Sequence, residues 1–367
     1  MRWLIAAGGT GGHVFPALSL AQAVQESDPG DQVLFVGTSR GLEARVVPAH
    51  GFTLRSIPAR ALMGLAWKEK VKTFLGLPWV FGHCMGILAG FRPHLVVGMG
   101  GYVAGPVVLL ASLTGIPTAV AEQNAFAGRT NRILGRIVKK VFLAFEETRS
   151  QFPPGKTSVT GNPVRRELED AATQCASLQW EASRKEEFHL LVFGGSQGAR
   201  AIDLAVQEAL PLLARLPFPL RVLHQAGEAQ LKQLDLAYQE SGIAHEVVRF
   251  IDHMDSAYSW AHLVICRAGA SSLAELALFG RPSILVPFPY AVDDHQKRNA
   301  MLFQKAGASV MLEQKDLSGA SLAAMVEALA TEPQRLQGMA VAARSLAKPQ
   351  AAQAMARECR AMVEARR

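Results

Sequence analysis

The sequence predicts an α/β protein built on parallel sheets, from three observations. Nine short apolar runs alternate with stretches long enough for crossover helices. The chain has 367 residues, more than one hydrophobic core usually organises. A glycine-rich turn that follows a strand and opens a helix occurs twice, as AAGGTGG at 6–12 and VFGGSQG at 192–198.

The runs of the first half are RWLIAAG (2–8), QVLFVG (32–37), HLVVGMG (94–100) and IPTAVAEQ (116–123). Those of the second are FHLLVFGG (188–195), LRVLHQAG (220–227), HEVVRFI (245–251), LVICRAG (263–269) and PSILVPFP (282–289). Being apolar on both faces, they suit strands covered by helices above and below. Between the halves, QFPPGKTSVTGNPVRREL (151–168) concentrates Pro and Gly as a hinge would, and 169–188 reads as a helix leading into the second sheet. Domains are expected at 1–162 and 163–342, with a C-terminal helix over 343–367 packing back on the first.

Composition narrows the function. With 49% apolar and 19% charged residues, the chain can fill complete cores. Cys84, Cys175, Cys266 and Cys359 lie far apart with no CxxC pair, which argues against a disulfide framework or a structural zinc and fits a reducing cytoplasm. The apolar run in MRWLIAAGG is too short for a signal-peptide core. A net charge of +7 favours an anionic partner: nucleic acid, an acidic membrane surface or a phosphorylated substrate.

The first glycine loop fits neither common phosphate fingerprint. From Gly9 the frame reads Gly9, Gly11 and Val14 in place of G-x-G-x-x-G, and the second strand ends without an acid for a ribose. A P-loop needs Gly-Lys-Ser/Thr where Gly12-His13-Val14 stands. What remains is a helix N-terminus with bare amides that can meet an anion or a polar sugar, with His13 at its rim. Further loops follow other predicted strands: GMGGYVAGP (98–106), AEQNAFAGRTNR (121–132), FGGSQGAR (193–200) and CRAGASSLAEL (266–276). Open α/β sheets bind ligands at that edge. In the last loop, Ser272-x-x-Glu275 reads either as a capping box or as a ribose-binding carboxylate beside diphosphate-binding amides.

Seven motifs stand in order from residue 8 to about residue 300: GGTGGHVFPAL, GMGGYVAGP, AEQNAFAGRTNR, GNPVR, FGGSQGA, CRAGASSLAEL and VPFPYAVDDHQKRNA. Together they make the chain resemble the MurG family, peripheral membrane glycosyltransferases of peptidoglycan synthesis. The resemblance implies a GT-B fold, two Rossmann-like domains with parallel sheets facing a cleft, acceptor side N-terminal and nucleotide-sugar side C-terminal. It implies inverting transfer of N-acetylglucosamine (GlcNAc) from UDP-GlcNAc to the C4 hydroxyl of undecaprenyl-diphospho-N-acetylmuramoyl-pentapeptide (lipid I), giving lipid II. It places nucleotide-sugar contacts on Thr10, Gly11, Gly12, Asn124, Arg165 and Ser196. Others fall on Ile251, through its backbone, on Ala270, Ser271, Ser272, Leu273, Ala274 and Glu275, and on Gln296 with Asn299 close by.

A single displacement needs a base for the incoming hydroxyl and stabilisation of the departing diphosphate. His13 is the candidate base, because an imidazole titrates near neutrality; its alternative role is a hydrogen bond to the acceptor diphosphate. Glu122 is the rival base, or else supports the Asn124 loop, and Tyr102 is expected to line the acceptor pocket. No metal site is expected, since Asp293, Asp294 and His295 are consecutive and such residues seldom converge on one ion. No tightly bound cofactor is expected, and assistance by Mg2+ is encoded by no visible site.

A lipid acceptor requires access to the membrane. Residues 65–91 combine Lys68, Lys70 and Lys72 with Trp67, Phe74, Trp79 and Phe81, to which Lys139 and Lys140 could add. Gly76 and Pro78 interrupt this stretch, so a helix buried against the first sheet and an interfacial patch on an anionic surface, on opposite faces of the same segment, are expected in preference to a span. The expected location is the cytoplasmic face of the plasma membrane, held peripherally, with other cell-wall enzymes as candidate partners. UDP-GlcNAc 2-epimerase is the rival enzyme. A nucleic-acid module is disfavoured, because no Lys/Arg cluster is interleaved with stacking aromatics on a predicted strand.

Overall fold

A computed structural model describes residues 1–59, 76–175, 187–195 and 198–365 of the chain. It divides into two compact units: Met1–Arg165 with Gln350–Arg367, and Arg166–Pro349.

The first unit runs β1 (Arg2–Ala6), α1 (Gly11–Ser27), β2 (Gln32–Gly37), α2 (Glu43–Ala49), β3 (Thr53–Ser56), α3 (Leu77–Phe91), β4 (Leu95–Gly98), α4 (Gly101–Leu113), β5 (Thr118–Glu122), α5 (Arg129–Ile137), β6 (Lys140–Leu143) and β7 (Thr157–Val159). All its strands pair in parallel, in the order β3-β2-β1-β4-β5-β6-β7. The second unit runs α6 (Arg166–Cys175), β8 (Phe188–Phe193), α7 (Arg200–Leu213), β9 (Leu220–Gln225), α8 (Leu231–Ser241), β10 (Ala244–Val248), α9 (Met254–Trp260), β11 (Leu263–Cys266), α10 (Ala270–Phe279), β12 (Ser283–Leu285), α11 (His295–Lys305), β13 (Ser309–Met311), α12 (Gly319–Thr331) and α13 (Pro333–Ser345). Its order is β10-β9-β8-β11-β12-β13, again all parallel. In both sheets the order reverses beside the first strand, where doubly wound sheets leave a crevice at their carboxyl edge.

Strand alternation sorts the first core into two layers. Trp3, Ile5, Phe35, Leu95 and Val97 face α1, α2 and the last helix, α14 (Ala351–Glu364). Leu4, Ala6, Leu34, Val36, Val96 and Val120 face α3, α4 and α5. In the second unit Phe188, Leu190 and Val192 pack against α7, α8, α12 and α13. On the opposite face, Tyr258 lies 6.0 Å from Phe193 and 5.2 Å from Phe279, ring to ring.

Helix α14 is bound to the first sheet by polar contacts as well. Arg360 reaches Asp31 at 2.6 Å and covers the Trp3 ring, while Asp31 accepts from the indole Nε1 at 2.8 Å and from the N-terminal amine. Glu358 pairs with Lys140 at 2.7 Å and accepts from Ser158. Lys140 is thereby tied to the C-terminal helix and does not join an open basic rim with Lys139.

Among the described residues, four strands lie outside the nine expected runs: β3, β6, β7 and β13. The expected hinge at 151–168 contains β7, which extends the first sheet to its seventh strand. The helix expected over 169–188 forms as α6 up to Cys175, and 176–186 lie outside the described residues.

Met355 is fully buried in the first core. Met355→Ala is expected to cost roughly 2–5 kcal/mol, read as a lower urea midpoint; an unchanged midpoint would remove α14 from that core.

Candidate functional site

In the first unit, two turns at the carboxyl edge interlock. Gly101 has φ +76° and lies so close to the Gly8 carbonyl that a β-carbon on it would sit 2.2 Å from that oxygen. Gly100, at φ +102°, lies against His13, whose Nδ1 would be 2.4 Å from a β-carbon there. Tyr102 approaches Gly9 in the same way, at 3.8 Å. His13 in the first turn of α1, the glycines before it and Tyr102 are therefore neighbours. Thr10 occupies the N-cap without a side-chain capping bond, and no acid stands in the first turn of α1. The helix dipole is left uncompensated toward an incoming anion. Arg165 brings its guanidinium 5.7 Å from the Phe15 ring, and that ring also packs on Gly11.

Two buried carboxylates hold these turns. Glu43, fully buried, accepts from Gly9 N at 3.1 Å, Thr38 N at 2.8 Å and Thr38 Oγ1 at 2.8 Å. It is an acid after the second strand, but it is committed to backbone amides. Glu122 is 3% exposed and accepts from Asn124 N, Asn124 Nδ2, Gly128 N and Asn131 Nδ2 between 2.9 and 3.3 Å. Burial raises its pKa above the ordinary carboxylate value, and these hydrogen bonds work against that rise. With both oxygens engaged, Glu122 shapes the Asn124 loop. Asn124 remains half-buried, and its carbonyl accepts from Thr148.

In the second unit, the turn after β8 places Gly195 at φ +90° and Gly198 at φ +72°, followed by α7. Ser196 lies outside the described residues. Ile251, 9% exposed, follows β10 beside Phe250, which is 60% exposed. Helix α10 starts at Ala270 behind the N-cap Gly269, without a side-chain capping bond. The Ser272–Glu275 capping box therefore does not form, because the helix begins two residues before Ser272. Glu275 instead accepts from Tyr258 Oη at 2.8 Å, an arrangement that fixes one carboxylate oxygen. Ser271 Oγ is buried without a hydrogen-bond partner among the described residues, and Ser272 and Ala274 are half-buried.

Two of the expected contacts are buried within the second unit. Leu273 is fully buried and its N–H bonds to Gly269 O. Asn299 is also fully buried and donates to Ala268 O at 3.2 Å, bracing the turn before α10. Gln296 is half-buried; its Oε1 accepts from Phe288 N at 2.9 Å, so its amide NH2 faces away from that bond. Sequence reasoning missed Arg267, which donates to Val286 O, Pro287 O and Gln314 Oε1 and so fixes the strand end that leads to Phe288. It also missed Asn162, a buried amide in GNPVR with no hydrogen-bond partner for either polar atom among the described residues. Among the described residues, no group of three His, Cys, Asp or Glu is placed to hold a metal ion. Asp293 and Asp294, both at positive φ, lead into α11.

The glycosyltransferase family 28 N-terminal domain model matches residues 3–143, and the family 28 C-terminal domain model matches 189–355. A Myxococcus xanthus protein named UDP-N-acetylglucosamine–N-acetylmuramyl-(pentapeptide) pyrophosphoryl-undecaprenol N-acetylglucosamine transferase is 46% identical, over 98% of this chain and 92% of its own. The crystal structure of Acinetobacter baumannii MurG superposes with a TM-score of 0.80 at 34% identity, covering 98% of this chain and 99% of that one. The chain belongs to the MurG family. A UDP-GlcNAc 2-epimerase from Neisseria meningitidis superposes at a TM-score of 0.67 over 97% of this chain and 99% of that one, with 14% identity, a likeness of fold alone. The two parallel-sheet, Rossmann-like units are the GT-B architecture that the MurG motifs imply.

Because burial raises the Glu122 pKa, its contribution to stability is present at low pH and declines as pH rises through the folded value. Glu122→Gln is expected to cost about 1–3 kcal/mol, with the deficit largest near pH 4 and smaller at pH 7 by urea unfolding. A deficit that grows with pH would contradict this assignment.

Proposed function

We propose that this chain transfers GlcNAc from UDP-GlcNAc to the C4 hydroxyl of lipid I with inversion, giving lipid II. The observation that carries the reading is the match, over 98% of the chain at 46% identity, to a protein named for that transfer. The residues at the strand ends supply the chemistry. The acceptor oxygen attacks the anomeric carbon, the bond from that carbon to the diphosphate oxygen breaks, and UDP leaves.

His13 takes the proton of the C4 hydroxyl. Glu122 is assigned to the Asn124 loop, since its oxygens already accept four hydrogen bonds. Tyr102 lines the acceptor side with the first glycine loop. The second unit takes the donor: Ser196, Ser271 and the N-termini of α7 and α10 meet the diphosphate, Glu275 the ribose, Ile251 the uracil edge and Gln296 the sugar hydroxyls. Arg165 offsets charge on the departing UDP. The proposal assigns no resident cofactor, and a Mg2+ ion accompanying the diphosphate would arrive with the substrate.

The same reading puts the chain at the cytoplasmic face of the plasma membrane. No helix among the described residues is long and apolar enough to cross a membrane. Trp67, Lys68, Lys70, Lys72 and Phe74 lie outside the described residues. In the described part of the first unit, the large exposed hydrophobics are Trp79, Met85, Leu113, Ile133 and Ile137, all on α3, α4 and α5. These three helices contain no Asp or Glu, and α5 exposes Arg129 and Arg136. An apolar face ringed by cations suits an anionic bilayer surface.

His13→Ala is expected to lower kcat about 100-fold or more and to flatten the pH–rate profile between about pH 5 and 8. A loss under tenfold with an unchanged profile would return His13 to a binding role. Replacing Trp79 and Ile133 by Ser should reduce sedimentation with anionic vesicles by about fivefold or more while leaving the melting temperature in place. Equal sedimentation would remove the membrane face from this helical layer.

A further inference from the structure

We infer that Gln225 is a positioning residue that sets the spacing between the diphosphate-binding turn and the base-binding segment of the second unit. The inference rests on the reading that this unit takes UDP-GlcNAc.

Gln225 is the last residue of β9, paired with Phe193 of β8 on one side and Val248 of β10 on the other. Its side chain carries the cross-linking one residue further. Oε1 accepts from Gly194 N at 3.3 Å, the residue after Phe193. Nε2 donates to Arg249 O at 3.2 Å, the residue after Val248, and makes a longer contact at 3.5 Å with Ala226 O. The amide can point only one way, because Gly194 offers a donor and Arg249 an acceptor. Gly194 opens the glycine turn before α7, and Arg249 stands two residues before Ile251. One side chain, 6% exposed, therefore joins the two arms that a nucleoside diphosphate would span.

The floor beneath this bridge is also built. Gly198 lies against Gly227, whose nitrogen would be 2.6 Å from a β-carbon at position 198. Gly227 N donates to Asp203 Oδ2 at 3.4 Å, and Asp203 Oδ1 meets His224 Nε2 at 3.3 Å. His224 Nδ1 meets Tyr238 Oη at 3.1 Å, and all three side chains are buried. His224 and Gln225 thus carry support to opposite sides of the same strand end.

Two variants separate bridging from filling. Gln225→Met keeps the length and apolar volume but leaves Gly194 N–H and Arg249 C=O without partners; Gln225→Asn keeps the amide but is one methylene too short to reach both. Dissociation constants of UDP and of uridine are measured by titration on the full-length wild type and both variants. Each variant is expected to weaken UDP about tenfold or more and uridine by no more than about twofold, because only UDP engages both arms. Unchanged UDP affinity in the Met variant, or equal losses for UDP and uridine, would overturn the assignment. If one variant does not fold, the other decides the question by the same ratio. A wild type that binds no UDP would instead overturn the donor-site reading on which this inference rests.

Discussion

Backbone-to-backbone contact at the carboxyl edges of the two sheets is the constraint on which the rest depends. Parallel strands end side by side at about 4.8 Å, so the turns that leave them have little room for side chains between them. In the first unit Gly101 meets the Gly8 carbonyl; in the second, a β-carbon on Gly194 would lie 2.1 Å from Ala199 N. Glycine is required at these positions to let the chain pass, and the same turns lead into the helix N-termini that suit a phosphate or a sugar. Structural need and ligand-binding capacity coincide in one residue type.

Both units hold these turns with buried carboxylates. Glu43 ties Gly9 to the turn at Thr38, Glu122 gathers the amides around Asn124, and Asp203 takes Gly227 N with His224 behind it. A carboxylate accepts several N–H groups at once, which fixes a turn that has no side chains of its own to pack. Each such group places a polar side chain in the interior, and the hydrogen bonds offset that cost only while the turn keeps its shape. The loops are preorganised as a result, and preorganised dipoles suit a reaction in which charge appears on a leaving diphosphate.

Much of this was legible in the sequence. Nine runs apolar on both faces marked the central strands, and the glycine turns after them marked the ligand edge. The described strands that lie outside those runs are short or peripheral: β3 is mostly exposed, β7 and β13 have three residues each, and β6 opens on a lysine. At the site, motif position indicates a helix start but not which of its residues turn inward, as the fully buried Leu273 and Asn299 do. The tie from Glu43 to the first glycine turn left no local signal, since Gly9 is 34 residues away. The dipeptide His224-Gln225 read as the end of a strand, because nothing in a linear pattern reveals that one side chain spans two neighbours.

The placement of α14 has a consequence for biosynthesis. Its residues Met355, Ala356, Cys359 and Val363 complete the core around α1, yet they follow the entire second unit in the chain. During translation the earlier-made part of the first unit must wait, with the apolar side of α1 incompletely covered, until more than half of the polypeptide has been added. The later-made unit is contiguous, so it can acquire its tertiary structure while the earlier-made unit still lacks its last helix.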